Sequence, residues 1–230
     1  MIDSAVQSLE LQPGAQEPDR LSRHKRIRQA VSRLDRLVGE AMQRERIESS
    51  GWQLSLASLS VRELLRSTLD SKGLELPLAS PPGPLTLPLT IAGQSGGWLL
   101  LDLPAEPLRF SGDPHLLEIA LGNLLDNACK YADPQSTVEL RAERRAPSER
   151  GARPVLHIEV LSTGLALDDS ELARVFDKYW RRDELHDVGG TGLGLHLVRH
   201  ILHLHGGRVD ARSLPGGQTS FSLQIPLLAV

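Results

Sequence analysis

Aromatic side chains are scarce in this chain: three Phe, three Trp and two Tyr make up 3% of its 230 residues. Its core must therefore be built from Leu, Val, Ile and Ala. A single cysteine, Cys129, excludes an internal disulfide and suits a reducing compartment. No apolar run approaches the roughly 20 residues that span a bilayer, and no signal peptide precedes the first polar residues, so a soluble chain is expected. Zinc-finger spacing and aromatic-rich nucleic-acid motifs are also missing, which argues against a nucleic-acid partner. There is no internal repeat or low-complexity tract. What is present is a hydrophobic content of 40%, and a length that fits one substantial core with an appendage.

The net charge of -3 conceals an asymmetry. Between Arg20 and Arg46 nine Lys or Arg face only Asp35, Glu40 and Glu45, a surplus of six that leaves the remainder at -9. Such a stretch attracts acidic partners in principle, but it reads first as the solvated face of a long helix. Within residues 21 to 48, Ile27, Val31, Leu34, Val38 and Ala41 follow steps of 4, 3, 4 and 3, a heptad seam that wants a partner helix. Ile2 to Leu11 fits a shorter helix before it, and the Pro/Gly-containing stretch from Gln12 to Asp19 supplies the turn.

Downstream, the alternation from Gly51 to Leu56 predicts a strand and Val61 to Leu69 a helix. The proline-rich stretch from Gly73 to Asp102 predicts short strands and a hairpin. Strands are expected over Leu99 to Leu103, Leu108 to Phe110, Thr137 to Arg145, Val155 to Leu161, Arg208 to Arg212 and Gln218 to Ile225, and a helix over Leu193 to His205. Strands mixed with helices without regular alternation indicate an α+β fold.

Two segments carry chemistry. The first runs Asn123-Leu-Leu-Asp-Asn127-Ala-Cys-Lys130-Tyr131, in a helix opened by Asp113 as cap and Pro114 in the first turn, with Leu116, Leu117, Ile119, Ala120, Leu124, Leu125 and Ala128 as its buried face. Asn123 and Asn127, four residues apart, share a face. A carboxamide oxygen is a neutral hard ligand, suited to a Mg2+ ion that already carries phosphate oxygens and water. Lys130 lies one turn on, within reach of phosphate. The second segment, Gly190-Thr191-Gly192-Leu193-Gly194, leads into an apolar helix whose free N–H groups face an anion. Each alone has a plainer reading, a solvated Asn pair and a flexible loop. His196, His200, His203 and His205 likewise read as a solvated helix face before a metal site.

In order and spacing, these segments resemble the ATP-binding core of sensor histidine kinases, and the resemblance spans about residues 21 to 226. It implies a two-layer α/β sandwich of the Bergerat type over residues 51 to 230. Residues 1 to 50 would then be part of a helical hairpin that dimerises as a four-helix bundle. It implies ATP and Mg2+ as cofactors, with Asn127 at the metal, and catalytic roles for Asn123, Lys130 and Arg181. Nucleotide contacts fall on Asn123, Asn127, Lys130, Tyr131, Ser162, Gly164, Ala166, Leu167, Phe176, Gly190, Thr191, Gly192, Leu193 and Gly194. The implied activity is transfer of the γ-phosphoryl group to a histidine and onward to a response regulator receiver domain. The implied setting is a cytoplasmic homodimer without membrane contact of its own, whose parent is membrane-anchored. Leu172 to Arg181 looks like the family's phenylalanine motif, otherwise an aromatic-rich helix on the core.

The chain departs from the family at two places. Ser162 stands where the family's adenine-binding Asp is expected, and Ala166 where its second glycine is. A neutral acceptor in place of a charged one forfeits roughly 1 to 2 kcal/mol, about tenfold in affinity, and a positive φ at Ala166 would cost about 1 kcal/mol more. The acceptor motif is also missing, since no histidine precedes Gln12 and His24 has the wrong neighbours. The expectation is a chain truncated after its acceptor. The alternative is a non-catalytic kinase-like scaffold, and a water-using ATPase is opposed by Asn123, which cannot act as a base.

Overall fold

The computed structural model describes residues 53–77, 83–91, 94–104, 107–146, 153–164, 166–182 and 191–227. The chain divides into two compact units, Met1–Trp52 and Gln53–Val230, and all described residues belong to the second. The predicted N-terminal hairpin and its heptad seam therefore lie outside the described residues.

Strand β1 (Ala57–Ser60) runs into helix α1 (Val61–Asp70), which starts where it does because Ser60 and Glu63 form a reciprocal capping box. Strands β2 (Leu85–Ile91) and β3 (Gln94–Asp102) form the hairpin expected of the proline-rich stretch. After β4 (Arg109–Gly112), Asp113 caps helix α2 (Pro114–Tyr131), with Pro114 in its first turn as the sequence predicts. Strands β5 (Thr137–Arg145) and β6 (Val155–Thr163), helix α3 (Asp169–Arg174), helix α4 (Gly194–Leu204) and strands β7 (Arg208–Leu214) and β8 (Gln218–Pro226) complete the order.

The main sheet has the order β2-β3-β5-β6-β8-β7, antiparallel except for β3 with β5; β1 and β4 pair separately. A parallel pair requires a crossover, and here β4 and α2 make it, so the Asn helix is laid across the sheet by topology. The face beneath it is Val138, Leu140 and Ala142 of β5, Leu156, Ile158 and Val160 of β6, and Phe221, Leu223 and Ile225 of β8, all buried. Leu116, Leu117, Leu121, Leu124 and Leu125 of α2 are essentially inaccessible. Each such side chain contributes about 1.5 to 3 kcal/mol on burial, so aliphatic packing replaces the missing aromatics. The opposite face is polar: Glu139, Arg141 and Glu143 alternate with the core positions of β5 and register against Leu161, Glu159 and His157. The result is the α+β sandwich that the sequence predicts.

Three sequence expectations are corrected. The strand predicted over Gly51 to Leu56 is not formed by its described residues, 53–56; the strand lies at Ala57–Ser60, whose first residue pairs with Gly112 at the end of β4, and Ser55 instead donates its N–H to the Asp113 carboxylate at 2.9 Å. The aromatic segment is not a helix beyond Arg174, since Tyr179 takes φ +64 and turns the chain. Ala166 carries no positive φ: among the described non-glycine residues only Gln135 and Tyr179 do, so the strain considered for Ala166 does not arise.

Candidate nucleotide site

Three close approaches, at Gly194, Gly164 and Gly192, link the predicted site residues of α2, the end of β6, the aromatic segment and the glycine segment. Asn123 uses its Nδ2 to donate to the Ile119 carbonyl at 2.8 Å, which orients the carboxamide. A Cβ on Gly194 would lie 2.6 Å from Asn123 Oδ1. A side chain on the last glycine of the second segment would thus displace the carboxamide of the first asparagine of the other. Gly194 opens α4 behind Leu193, which provides no side-chain cap, so the first-turn N–H groups remain available to an anion.

At the C-terminal end of α2, Gly164 bridges Ala132, and Asp133 donates its N–H to the Thr163 carbonyl at 2.8 Å. Gly164 has φ +152, and a Cβ there would lie 2.3 Å from the Tyr131 carbonyl. This fixes the end of β6 against Lys130 and Tyr131. The Lys130 ammonium donates to the Tyr131 hydroxyl at 2.9 Å and lies 4.6 Å from the centre of its ring. Ser162, one turn of the pleat back on the core face, is buried at 8% exposure, and its register partner is Thr219.

The aromatic segment closes the circuit. Tyr179 donates its N–H to the Gly192 carbonyl at 3.0 Å, and a Cβ on Gly192 would meet Trp180 and Tyr179 backbone at 2.8 Å. Phe176 packs edge-on against Phe221, ring centres 6.2 Å apart. Arg182 donates to the Ala166 carbonyl at 2.7 Å and pairs with Glu171, tying the degenerate glycine motif to α3. That pairing holds the Glu171 carboxyl below its usual range. Ser213 clasps Leu167, accepting from its N–H at 3.0 Å and donating to its carbonyl.

Of the predicted residues, Asn123, Asn127, Lys130, Tyr131, Ser162, Gly164, Ala166, Leu167, Phe176, Arg181, Thr191, Gly192, Leu193 and Gly194 are all described, and Gly190 lies outside the described residues. Sequence reasoning missed Ser213 and the pairing of Arg182, a residue read only as part of a polar lid, with Glu171. Their roles come from pairing across strands and turns, and only the Asp168-to-Glu171 capping box beside Arg182 leaves a local signal.

For a Mg2+ ion the donor chemistry fits. Asn127 is half-buried on the same helix face as Asn123, and its carboxamide forms no hydrogen bond among the described residues. No three His, Cys, Asp or Glu converge on a metal site among the described residues. Of the four histidines, His203 is exposed, and His205, just after α4, donates from Nδ1 to the Ile201 carbonyl at 2.8 Å and accepts the Asp113 N–H on Nε2 at 2.9 Å. Cys129, in the last turn of the Asn helix, is buried, and burial pushes its thiol up to about 11.

Residues 112–229, just over half of the chain, match the profile of the histidine kinase-, DNA gyrase B- and HSP90-like ATPases. The chain is 31% identical over 200 residues to the sensor protein KdpD of Escherichia coli, covering 87% of this chain and 20% of that protein. It is 39% identical over 119 residues to the circadian input-output histidine kinase CikA of Synechococcus elongatus, covering 51% and 15%. The chain thus spans a fifth or less of these two relatives. Among solved structures, full-length ShkA in complex with AMPPNP superposes with a TM-score of 0.69 at 21% identity, covering 96% of this chain and 41% of that one. The mycobacterial sensor histidine kinase MprB superposes at 0.52 and 18%, covering 76% and 99%. Among the described residues no helix is long and apolar enough to cross a membrane.

Proposed function

The chain belongs to the family of histidine kinase-, DNA gyrase B- and HSP90-like ATPases, and from that premise we propose that it is the catalytic portion of a two-component sensor histidine kinase. The observation that carries this reading is the contact of Gly194 with Asn123, which brings the anion-accepting helix start and the amide-bearing helix to one place. Bound Mg-ATP supplies the phosphoryl group and its counter-ion. The chain's residues position it: Asn127 offers an amide oxygen to the ion, Lys130 and the first-turn amides of α4 neutralise phosphate charge, and Tyr131 stacks near the base. Asn123 has no proton-accepting group, which disfavours activation of water and favours transfer to a histidine supplied by a dimerisation domain, then to a receiver domain.

Calorimetric titration with ATP, in the presence and absence of Mg2+, tests this reading. Asn127→Ala is expected to remove the Mg2+-dependent part of binding by tenfold or more while leaving the thermal transition in place. An unchanged metal dependence removes Asn127 from the ion, and no binding by the unmodified chain returns the scaffold reading, for which Ser162 is the supporting observation. With labelled ATP, an added dimerisation domain should become phosphorylated in an acid-labile form while this chain does not. Label on His24 would overturn that assignment.

Homodimerisation through the seam of Ile27, Val31, Leu34 and Val38 is part of the same proposal. Light scattering should show Leu34→Asp halving the mass, and an unaltered mass would remove the seam from the interface. A cytoplasmic position follows from the same reading, and fractionation of expressing cells checks it.

A further inference from the structure

Helix α1 carries two cations that no acid answers. Arg62 and Arg66 stand one turn apart, so they share a flank of the helix, with Cβ atoms roughly 5 to 6 Å apart. Both are half-buried. In each, one guanidinium nitrogen is shielded from water and has no hydrogen-bond partner: Nη1 of Arg62 and Nε of Arg66. Among the described residues neither side chain forms an ion pair, whereas Arg109, Arg141, Arg145, Arg182, Arg199 and Arg208 each pair with a carboxylate. The acids of α1 itself do not supply one. Glu63 accepts the Ser60 N–H at 2.6 Å and faces Arg109 at 3.8 Å; its carboxyl is held below the ordinary value first by Ser60, and Arg66 comes last among the causes. Asp70, one turn beyond Arg66, is exposed and forms no ion pair among the described residues.

A long cationic side chain at a surface ordinarily keeps its whole head in water. These two do not. Like charges one turn apart also repel, and shielded donors without an acceptor point to an anion held between them. The donors define that anion. A guanidinium is a planar fork that meets carboxylate or phosphate oxygens two at a time. One carboxylate brings a single charge and two oxygens, which suffice for one fork. A phosphate dianion brings two charges and enough oxygens for both. We propose that Arg62 and Arg66 form a phosphate site, which shares no residue with the nucleotide site proposed above. Its phosphate is a free ion or the headgroup of a phospholipid, two sources of the same chemistry.

The thermal transition of the full chain, followed against inorganic phosphate at constant ionic strength, tests the site, because a ligand held only by the folded state raises the transition. Phosphate also stabilises proteins in general, so variants carry the comparison. Arg62→Gln and Arg66→Gln are each expected to weaken the apparent phosphate affinity about tenfold. Arg66→Lys, which keeps the charge and loses the fork, is expected to weaken it as well. Arg109→Gln removes an equal charge beside the same helix, and Lys130→Ala removes a phosphate contact of the nucleotide reading; both are expected to leave the affinity where it is. Sedimentation with phosphatidylcholine vesicles containing phosphatidic acid separates the sources. A loss of vesicle binding in Arg62→Gln assigns the site to a headgroup, and equal vesicle binding beside a lost response to inorganic phosphate assigns it to the free ion. A phosphate response that both glutamine variants retain, or that Lys130→Ala alone removes, overturns the proposal. So does an equal response to acetate, which would give the pair to a carboxylate.

Discussion

Gly164 is the residue on which the site's geometry turns. With φ +152 and the Tyr131 carbonyl 2.3 Å from any Cβ, it couples the end of β6 to the end of α2 through backbone alone. Gly164→Ala is expected to cost more than about 1 kcal/mol through the disallowed conformation and the clash. Nucleotide affinity should fall in parallel, because Ser162 and Tyr131 move apart. Urea midpoints and titration calorimetry on the same protein check both. A variant with unchanged midpoint and affinity would show that the β6 end is not held by this contact. The sequence made Gly164 visible only as one survivor of a degenerate motif. That Ala166 is relaxed while Gly164 is not depends on which backbone lies opposite, and no local pattern encodes that.

At the scale of the element, legibility followed the range of the interactions that fix each boundary. Helix α2 was readable because its cap, Asp113 to Leu116 N–H at 3.2 Å, and its proline are local. The turn after Arg174 was not, because Tyr179 is drawn into φ +64 by its hydrogen bond to Gly192 across the site. The β2–β3 hairpin was expected from composition, but the position of its proline was not. Trp98 directs its N–H to the Ser136 carbonyl on the β5 side at 3.3 Å, so the Pro88–Trp98 pair is not hydrogen-bonded and the Pro88 nitrogen faces the open edge of the sheet. That is where a missing N–H denies a second strand its partner. Pro88→Val restores the donor, and self-association at high protein concentration is the expected outcome. Light scattering that stays constant with concentration would count against it.

For the whole molecule, the polar face of the sheet sets a pH dependence. His157 is 3% exposed, and its imidazole is pushed below the ordinary histidine value, first by burial and then by Arg145, with Arg212 adding to this and Glu159 and Glu143 opposing. Because the folded value lies below the unfolded one, the unfolded chain takes up the proton first. This group therefore leaves stability intact above the unfolded value, about 6.5, and lowers it as pH falls from there toward the folded value. His157→Gln should flatten denaturation midpoints measured between pH 7 and 5. An equal slope in both proteins would assign the dependence elsewhere.

Asp113 has a consequence in time as well as in space. Its carboxylate holds the N–H of Ser55, 58 residues away, and its own N–H is held by His205, 92 residues away. Closing loops of that length is entropically costly and unrewarded until both ends are in place, so these bonds belong to the last stage of folding rather than to its nucleus. Interactions absent from the transition state govern how fast the native state is lost, with little effect on how fast it is reached. In stopped-flow chevrons, His205→Leu should therefore steepen the loss, raising the unfolding rate several-fold while the refolding limb stays where it is. Kinetic persistence of the nucleotide fold, on this account, resides in a histidine remote from any phosphate.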